Sequence, residues 1–230
     1  MNETSSDLIE TITFRDVNCY LLKTNDEFIL VDSGFSNQRS KIESALHTAG
    51  VQRGILRLIL LTHGDFDHSG NCAYLRDKYQ SKIAMHKDDL GMVEHGDLFY
   101  SRKGSNFIIR ILAKLMLPLF RMNLKKKDHF TPDIYLEEGD DLSEYGFNAQ
   151  VVHLPGHSKG SIAFLTTGGD LFIGDLLENN KKHGPVKCSL IDDSLEFSAS
   201  IDKLKSLPII TVYPGHGAPF QMKDFIKNYQ

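Results

Sequence analysis

Residues 57–61 (RLILL) run without a break into Thr62-His63-Gly64-Asp65-Phe66-Asp67-His68-Ser69-Gly70. The first part is an apolar run of the length expected for a buried strand. The second crowds His63, Asp65, Asp67 and His68 around a turn-forming glycine, a composition that does not belong in a core but can be displayed at a strand's end. If the chain stays extended, residues 63, 65 and 67 turn toward one point and His68 reaches a neighbouring one. Imidazole nitrogens and carboxylate oxygens together suit zinc or iron.

Three later segments repeat the pattern of strand end, glycine turn and candidate ligand. They are Val152-His153-Leu154-Pro155-Gly156-His157-Ser158, Phe172-Ile173-Gly174-Asp175 and Val212-Tyr213-Pro214-Gly215-His216-Gly217. Each glycine is read as a sharp turn that presents the next side chain at a sheet edge. Four such segments in one chain point to a convergent set rather than to isolated polar residues.

The surrounding pattern supplies the scaffold. Residues 17–24 and 27–32 read as a β-hairpin around Asn25-Asp26, and 36–49 as a helix closed by Gly50. Further strands are expected near 81–85, 149–154, 161–166, 171–173 and 209–212, with helices over 71–79 and 195–207. Strands arriving in pairs around separate helices predict two sheets with helices outside. No repeat or Pro/Gly-rich linker divides the chain, which predicts one domain over 1–230.

A helical insert is expected at about 87–131, centred on 106–122 (NFIIRILAKLMLPLFRM), where Arg110, Lys114 and Arg121 share a narrow polar stripe. Pro118 should kink or end that helix. Three readings of the insert stand together: packing on the domain's own surface or on a homodimer partner, a lid over a small-molecule substrate, and contact with a membrane surface. Spanning is not the expectation, because the run is shorter than about 20 residues and holds charges.

Hydrophobic residues make up 41% and charged residues 24%, a globular profile, and the net charge of −4 supplies no global field for nucleic acid. Phosphate-bearing small molecules are not excluded, since bound cations would dominate the local field. Cys19, Cys72 and Cys188 show no CxxC spacing, and residues 1–10 lack the order of a signal peptide, so the cytoplasm is the expected compartment.

The order HxxxDH, PGHS, GD and PGHG, with Val31-Asp32-Ser33-Gly34 ahead of it, resembles the metallo-β-lactamase superfamily over nearly the whole chain. The resemblance implies an α/β fold, a four-layer αβ/βα sandwich with a dinuclear metal site at one sheet edge. By position it implies a first metal held by His63, residue 65 and His157. A second would be held by Asp67, His68 and His216, with Asp175 bridging the two. Asp32 takes the place of a supporting acid.

Residue 65 departs from the family's usual HxHxDH, since Asp65 stands where the second His is expected. Flavodiiron proteins, a branch of the same superfamily, carry a carboxylate there and bind iron. Asp65 is therefore kept as a ligand; the other reading is an acid that holds His63 or a water. Two divalent ions are expected, zinc first, with iron or manganese also suited to the donors. A water shared by two cations ionises near neutral pH and attacks a carbonyl or phosphoryl centre. Asp67, the expected catalytic residue, would orient it and pass its proton to the leaving group.

Other polar residues are weighed against this set. His47 and His129 are predicted to be solvated, His153 to be structural and Cys72 to be packing. His86 and His95 flank the insert and are candidates to line the pocket. The loop 178–187 (ENNKKHGPVK) should border the metals, which makes His183, Lys181 and Lys182 candidates for substrate contact.

The substrate is narrowed by comparison within the family. The chain lacks the helical extension of hydroxyacylglutathione hydrolases, and Glu178 stands where acyl-homoserine lactonases often have Tyr. The Cys or Ser near Lys of class B β-lactamases and the added domain of the nucleases are not seen either. A hydrolase of a small-molecule ester, thioester, lactone or phosphoester is the main expectation. The rivals are an iron-dependent redox enzyme, diiron or persulfide-dioxygenase-like, and a non-catalytic binding module, which the nearly complete ligand set argues against.

Overall fold

The computed structural model describes residues 9–100, 102 and 124–228. Strands β1 (Ile9–Phe14), β2 (Val17–Thr24) and β3 (Glu27–Val31) form an antiparallel meander. Helix α1 (Arg39–Thr48) then crosses to β4 (Leu56–Leu60), which lies parallel to β3. A single helical turn, α2 (Phe66–Ser69), precedes α3 (Cys72–Tyr79), which crosses to the parallel β5 (Lys82–Met85). After α4 (Leu90–His95), the short β6 (Ile134–Tyr135) completes a sheet of order β1-β2-β3-β4-β5-β6.

The second sheet starts with the antiparallel β7 (Ala149–His153), β8 (Ile162–Thr166) and β9 (Asp170–Gly174). A separate two-stranded ribbon follows, β10 (Leu177–Asn180) with β11 (Gly184–Lys187). Helix α5 (Ser194–Ser206) carries the chain to β12 (Thr211–Pro214), parallel to β9. An edge strand, β13 (Phe220–Gln221), and α6 (Met222–Asn228) complete the order β13-β12-β9-β8-β7.

Period-two alternation decides which face each side chain takes. Tyr20, Ile29, Leu58 and Leu60 of the first sheet meet Val151, Phe164 and Phe172 of the second in an inner layer. Their neighbours Cys19, Leu21, Leu30 and Ile59 turn outward onto Ile42 and Leu46 of α1 and Leu75 of α3. Val152, Leu171 and Ile173 likewise pack on Phe197 and Ile201 of α5 and Phe225 of α6. Because both faces of the central strands are buried, β4 reads as an unbroken apolar run from Leu58 onward, after the exposed Arg57. The result is helix, sheet, sheet, helix, the αβ/βα sandwich that the resemblance implied.

Several details differ from expectation. The loop expected at 178–187 is the β10–β11 ribbon, and the final strand runs over 211–214 rather than 209–212. Both ends of the expected insert fold back onto the sandwich. Met92 and Val93 are buried, and Asp128 pairs with Arg39 at 2.7 Å. The stretch 106–122 with its Pro118 lies outside the described residues, and so do the lid, dimer and membrane readings placed on it. Among the described residues no helix is long and apolar enough to cross a membrane.

Candidate metal centre

β3, β4 and β5 run parallel in one sheet; β7, β9 and β12 share a direction in the other. The carboxyl ends of β3, β4, β7, β9 and β12 meet along one rim, where backbone bonds tie the sheets together: Ile162 N–H to Thr62 O at 2.8 Å and Asn18 N–H to Gly215 O at 2.8 Å. Asp32 follows β3, His63 and Asp65 follow β4, His157 follows β7, Asp175 follows β9 and His216 follows β12. At Gly174, φ is +60° and a Cβ would press on Thr62, so glycine is what lets β9 come this close to the opposite rim.

All seven expected ligands converge. Donor atoms of His63, Asp65 and His157 form one group, those of Asp67, His68 and His216 another, and Asp175 groups with His63 and His68 between them. Asp67 therefore joins His68, not residues 63 and 65 as extended alternation suggested. The helical turn α2 begins right after Asp65 and breaks the period of two.

Each histidine is oriented through Nδ1. That atom lies 2.9 Å from Thr62 Oγ1 in His63, 2.9 Å from Asp32 Oδ2 in His68, 2.8 Å from Leu190 O in His157 and 3.1 Å from Asp16 O in His216. With Nδ1 engaged, Nε2 of each ring is left to face inward, as in metal-binding histidines. Asp175 carboxylate oxygens lie 3.2 Å from Nε2 of His68 and of His216, 3.8 Å from that of His63 and 3.9 Å from that of His157.

Four of these atoms fit a cation in particular: His63 Nε2, His68 Nε2, Asp65 Oδ1 and Asp175 Oδ1 are buried and make no hydrogen bond. Leaving each such group unsatisfied costs about 1–3 kcal/mol, so a rim that gathers them is built around something that satisfies them.

Electrostatics follow from the crowding. Burial alone would raise the Asp65 carboxyl, but the Arg102 guanidinium, His157 and His63 hold it well below the usual range. Asp175 behaves likewise, with burial overcome by His68 and His216. Asp67 is raised by burial and by the negative charges of Asp175 and Asp65, against the pull of His68. Burial opposes the charged form of His68, His157 and His216, yet neighbouring carboxylates lift all three, His157 to about 10. Protons thus sit where cations would bind. Metal uptake is expected to release protons and to weaken as pH falls, because protonated imidazole offers no lone pair. Titrating zinc into weakly buffered protein checks this; uptake without proton release would contradict it.

Two supporting residues escaped the sequence reading. Asp89, fully buried, accepts from Gly64 N–H at 3.0 Å, Gly160 N–H at 2.8 Å and Ser158 Oγ–H at 2.6 Å, locking the loops that carry His63 and His157 together. It follows β5 much as the ligands follow their strands, and that position was its signal. Arg102 donates to Asp65 Oδ2 at 2.9 Å, and no motif marks it. Asp32 holds the place expected of it. Besides His68 it accepts from Thr62 N–H at 2.9 Å and Thr62 Oγ1–H at 2.9 Å. Asp32→Asn is expected to weaken metal binding by roughly 10–100-fold with the fold retained, measured by chelator competition.

Of the remaining candidates, His47 is exposed as expected, whereas His129 is half-buried, with Nε2 3.3 Å from Leu124 O. His86 stacks on His153 at 4.3 Å and His95 leans on Tyr100 at 4.8 Å; all three histidines lie outside the donor groups of the centre. Cys72 is packing: burial pushes its thiol up to about 12. The centre is closed at His63 and His157, 1% and 2% exposed, and open at Asp67 and His216, 16% and 23%. A groove of about 710 Å³ runs past His216, edged by Arg15, Lys181 and Lys182 and by the acids Asp16 and Glu178; His183 is not in its lining.

The chain is similar in sequence and fold to known proteins. The model of the Metallo-beta-lactamase superfamily matches residues 12–216. The chain is 30% identical over 206 residues to Probable metallo-hydrolase YqgX of Bacillus subtilis, covering 87% of this chain and 84% of that protein. It is 28% identical over 174 residues to hydroxyacylglutathione hydrolase GloC of Haemophilus influenzae, covering 71% and 69%. It spans only 57% of the length of the Beta-lactamase-like protein 2 homolog of Caenorhabditis elegans, at 23% identity over 89% of this chain. Among solved structures, TTHA1623 in a di-iron-bound form superposes with a TM-score of 0.69 at 29% identity, covering 94% of each chain.

Proposed function

Because the chain belongs to the metallo-β-lactamase superfamily and is a metal-dependent hydrolase, we propose that its seven converging side chains hold two divalent ions and cleave a small-molecule ester or thioester with an anionic tail. The observation that carries this is Asp175 within 4 Å of the inward nitrogens of all four histidines. In this reading His63, Asp65 and His157 would hold one ion, Asp67, His68 and His216 the other, and Asp175 would serve both. Bound there, the ions would polarise the scissile carbonyl or phosphoryl oxygen and make water nucleophilic near neutral pH.

The protein's own groups do the rest. Asp67 stands on the open side, its side chain 16% exposed beside His216, which suits it to take a proton from the attacking water and give it to the leaving group. The Nδ1 partners keep the imidazoles fixed while charge develops. Arg15, Lys181 and Lys182 outweigh Asp16 and Glu178 along the groove, a slight excess of positive charge that favours a substrate with an anionic end, in keeping with the glutathione conjugate in GloC's name. Lactones and phosphoesters fit the same chemistry. The named relatives are hydrolases and do not favour the iron-dependent redox reading.

Zinc remains the first expected ion; Asp65 and the di-iron state of TTHA1623 make iron the next, with manganese also compatible. Three free cysteines fit a reducing cytoplasm, where we place the protein. Elemental analysis of the purified protein, followed by ester, thioester, lactone and phosphodiester probes, tests the proposal. Chelation should abolish hydrolysis and metal should restore it. Absence of bound metal together with inactivity across the panel would overturn it.

A further inference from the structure

The two halves of the centre are matched in donor type. Each offers two histidines and one aspartate of its own, with Asp175 reaching both, if His63 and His157 are counted with the first and His68 and His216 with the second. Donor chemistry therefore gives neither an advantage, and any difference in affinity needs another cause. Among the described residues two charges break the match: Asp32 backs His68 at 2.9 Å in the second half, and Arg102 enters the first, where it alone occupies ligand atoms.

Its side chain is 4% exposed. Nη2 lies 2.9 Å from Asp65 Oδ2 and 3.2 Å from His157 Nε2, while those two acceptor atoms lie 3.1 Å from each other. Whichever ring nitrogen of His157 carries the proton, both Asp65 Oδ2 and His157 Nε2 are already engaged. They are two of the three donors that the first position contributes on its own. Unlike a protonated histidine, the guanidinium does not clear the site by losing a proton. A cation entering there meets a fixed positive charge and must take Asp65 and His157 from it. At the second position, among the described residues, no lysine or arginine pairs with Asp67 or His216, both of which face the open side.

We propose that Arg102 is a built-in competitor for the first metal position, so that the position of Asp67, His68, Asp175 and His216 fills first and more tightly. This rests on reading the seven residues as a two-position centre. It makes occupancy stepwise: one ion at ordinary metal supply, and a second only when Arg102 yields Asp65. Asp65 and Arg102 act together here, since the usual neutral histidine at position 65 would not hold a guanidinium by charge.

Half-site variants test it through binding rather than turnover. His63→Ala keeps the second position, and His216→Ala keeps the first. Metal-free protein of each, with folding checked by circular dichroism, is titrated with Zn²⁺ against a chromophoric chelator, and bound zinc is counted by elemental analysis. His63→Ala is expected to bind roughly ten-fold or more tightly than His216→Ala, and adding Arg102→Met to His216→Ala should recover a similar factor. Equal affinities in the two half-site variants overturn the proposal even if the Arg102→Met chain does not fold. An unchanged affinity on adding a folded Arg102→Met also overturns it. Wild-type protein that binds two zinc ions equally well keeps the metal centre and removes only the role of Arg102; protein that binds none removes both.

Discussion

Alanine at position 175 is expected to abolish hydrolysis of ester and phosphodiester probes and to remove at least one metal ion per chain. Loss of a residue that merely orients a ligand lowers affinity or activity about 10–100-fold. Asp175 is placed to do more, because its carboxylate lies 3.2–3.9 Å from the inward nitrogen of every histidine in the centre. Its removal takes one donor from each half at once and leaves His68 and His216 facing only the more distant Asp67, at 3.9 and 3.8 Å. A fall beyond the roughly 100-fold upper end of that range is therefore expected. Circular dichroism should show an intact fold, since the side chain lies at the rim and not in the inner layer. Full metal content and full turnover in Asp175→Ala would rule out the bridging position.

The second large effect is expected from Gly215→Ala, one methyl group outside the ligand set. A Cβ on Gly215 would overlap the Asp175 carboxylate oxygen Oδ1 and come within 2.8 Å of His68 Cε1. The backbone has no room to retreat, because Gly215 N–H donates to Gly174 O at 2.7 Å and Gly215 O accepts from Asn18 N–H at 2.8 Å. Asp175 and His68 must move instead. Misplacing reacting groups by about 1 Å costs on the order of 10²-fold in rate. Activity should fall at least that far and bound metal should decrease, with little change in unfolding temperature. Near-normal activity would mean that the rim is looser than these contacts indicate. Gly215 does not have a positive φ, so close approach, not the sharp turn expected from sequence, is why glycine is needed here.

The ligand segments were legible because His and Asp at the ends of apolar strands have no place in a core and little reason to cluster on a solvated loop. The sheets were legible for a related reason. Leu58 and Leu60 alternate with Ile59 and Leu61 between two buried faces, and such runs carry their own signature. A four-residue turn such as α2 is too short to show helical periodicity, so the placing of Asp67 had to wait for the structure. The β10–β11 ribbon was missed because most of its residues are half-exposed and polar, which hides the alternation of a strand. Arg102 belongs to neither pattern. Its importance comes only from where the chain returns, opposite an aspartate 37 residues earlier.

The divided origin of the rim has a consequence for assembly. The ligands extend from His63 to His216, and they come from two sheets that meet only when both have formed. Neither half of the centre can be completed from one sheet alone, since His63 pairs with His157 across the rim and His68 with His216. Closing loops of that length costs entropy that is recovered late, when the inner layer has already brought the sheets face to face. A nascent or mispaired chain thus lacks both complete positions, and full metal capture is expected at the end of folding rather than at its beginning.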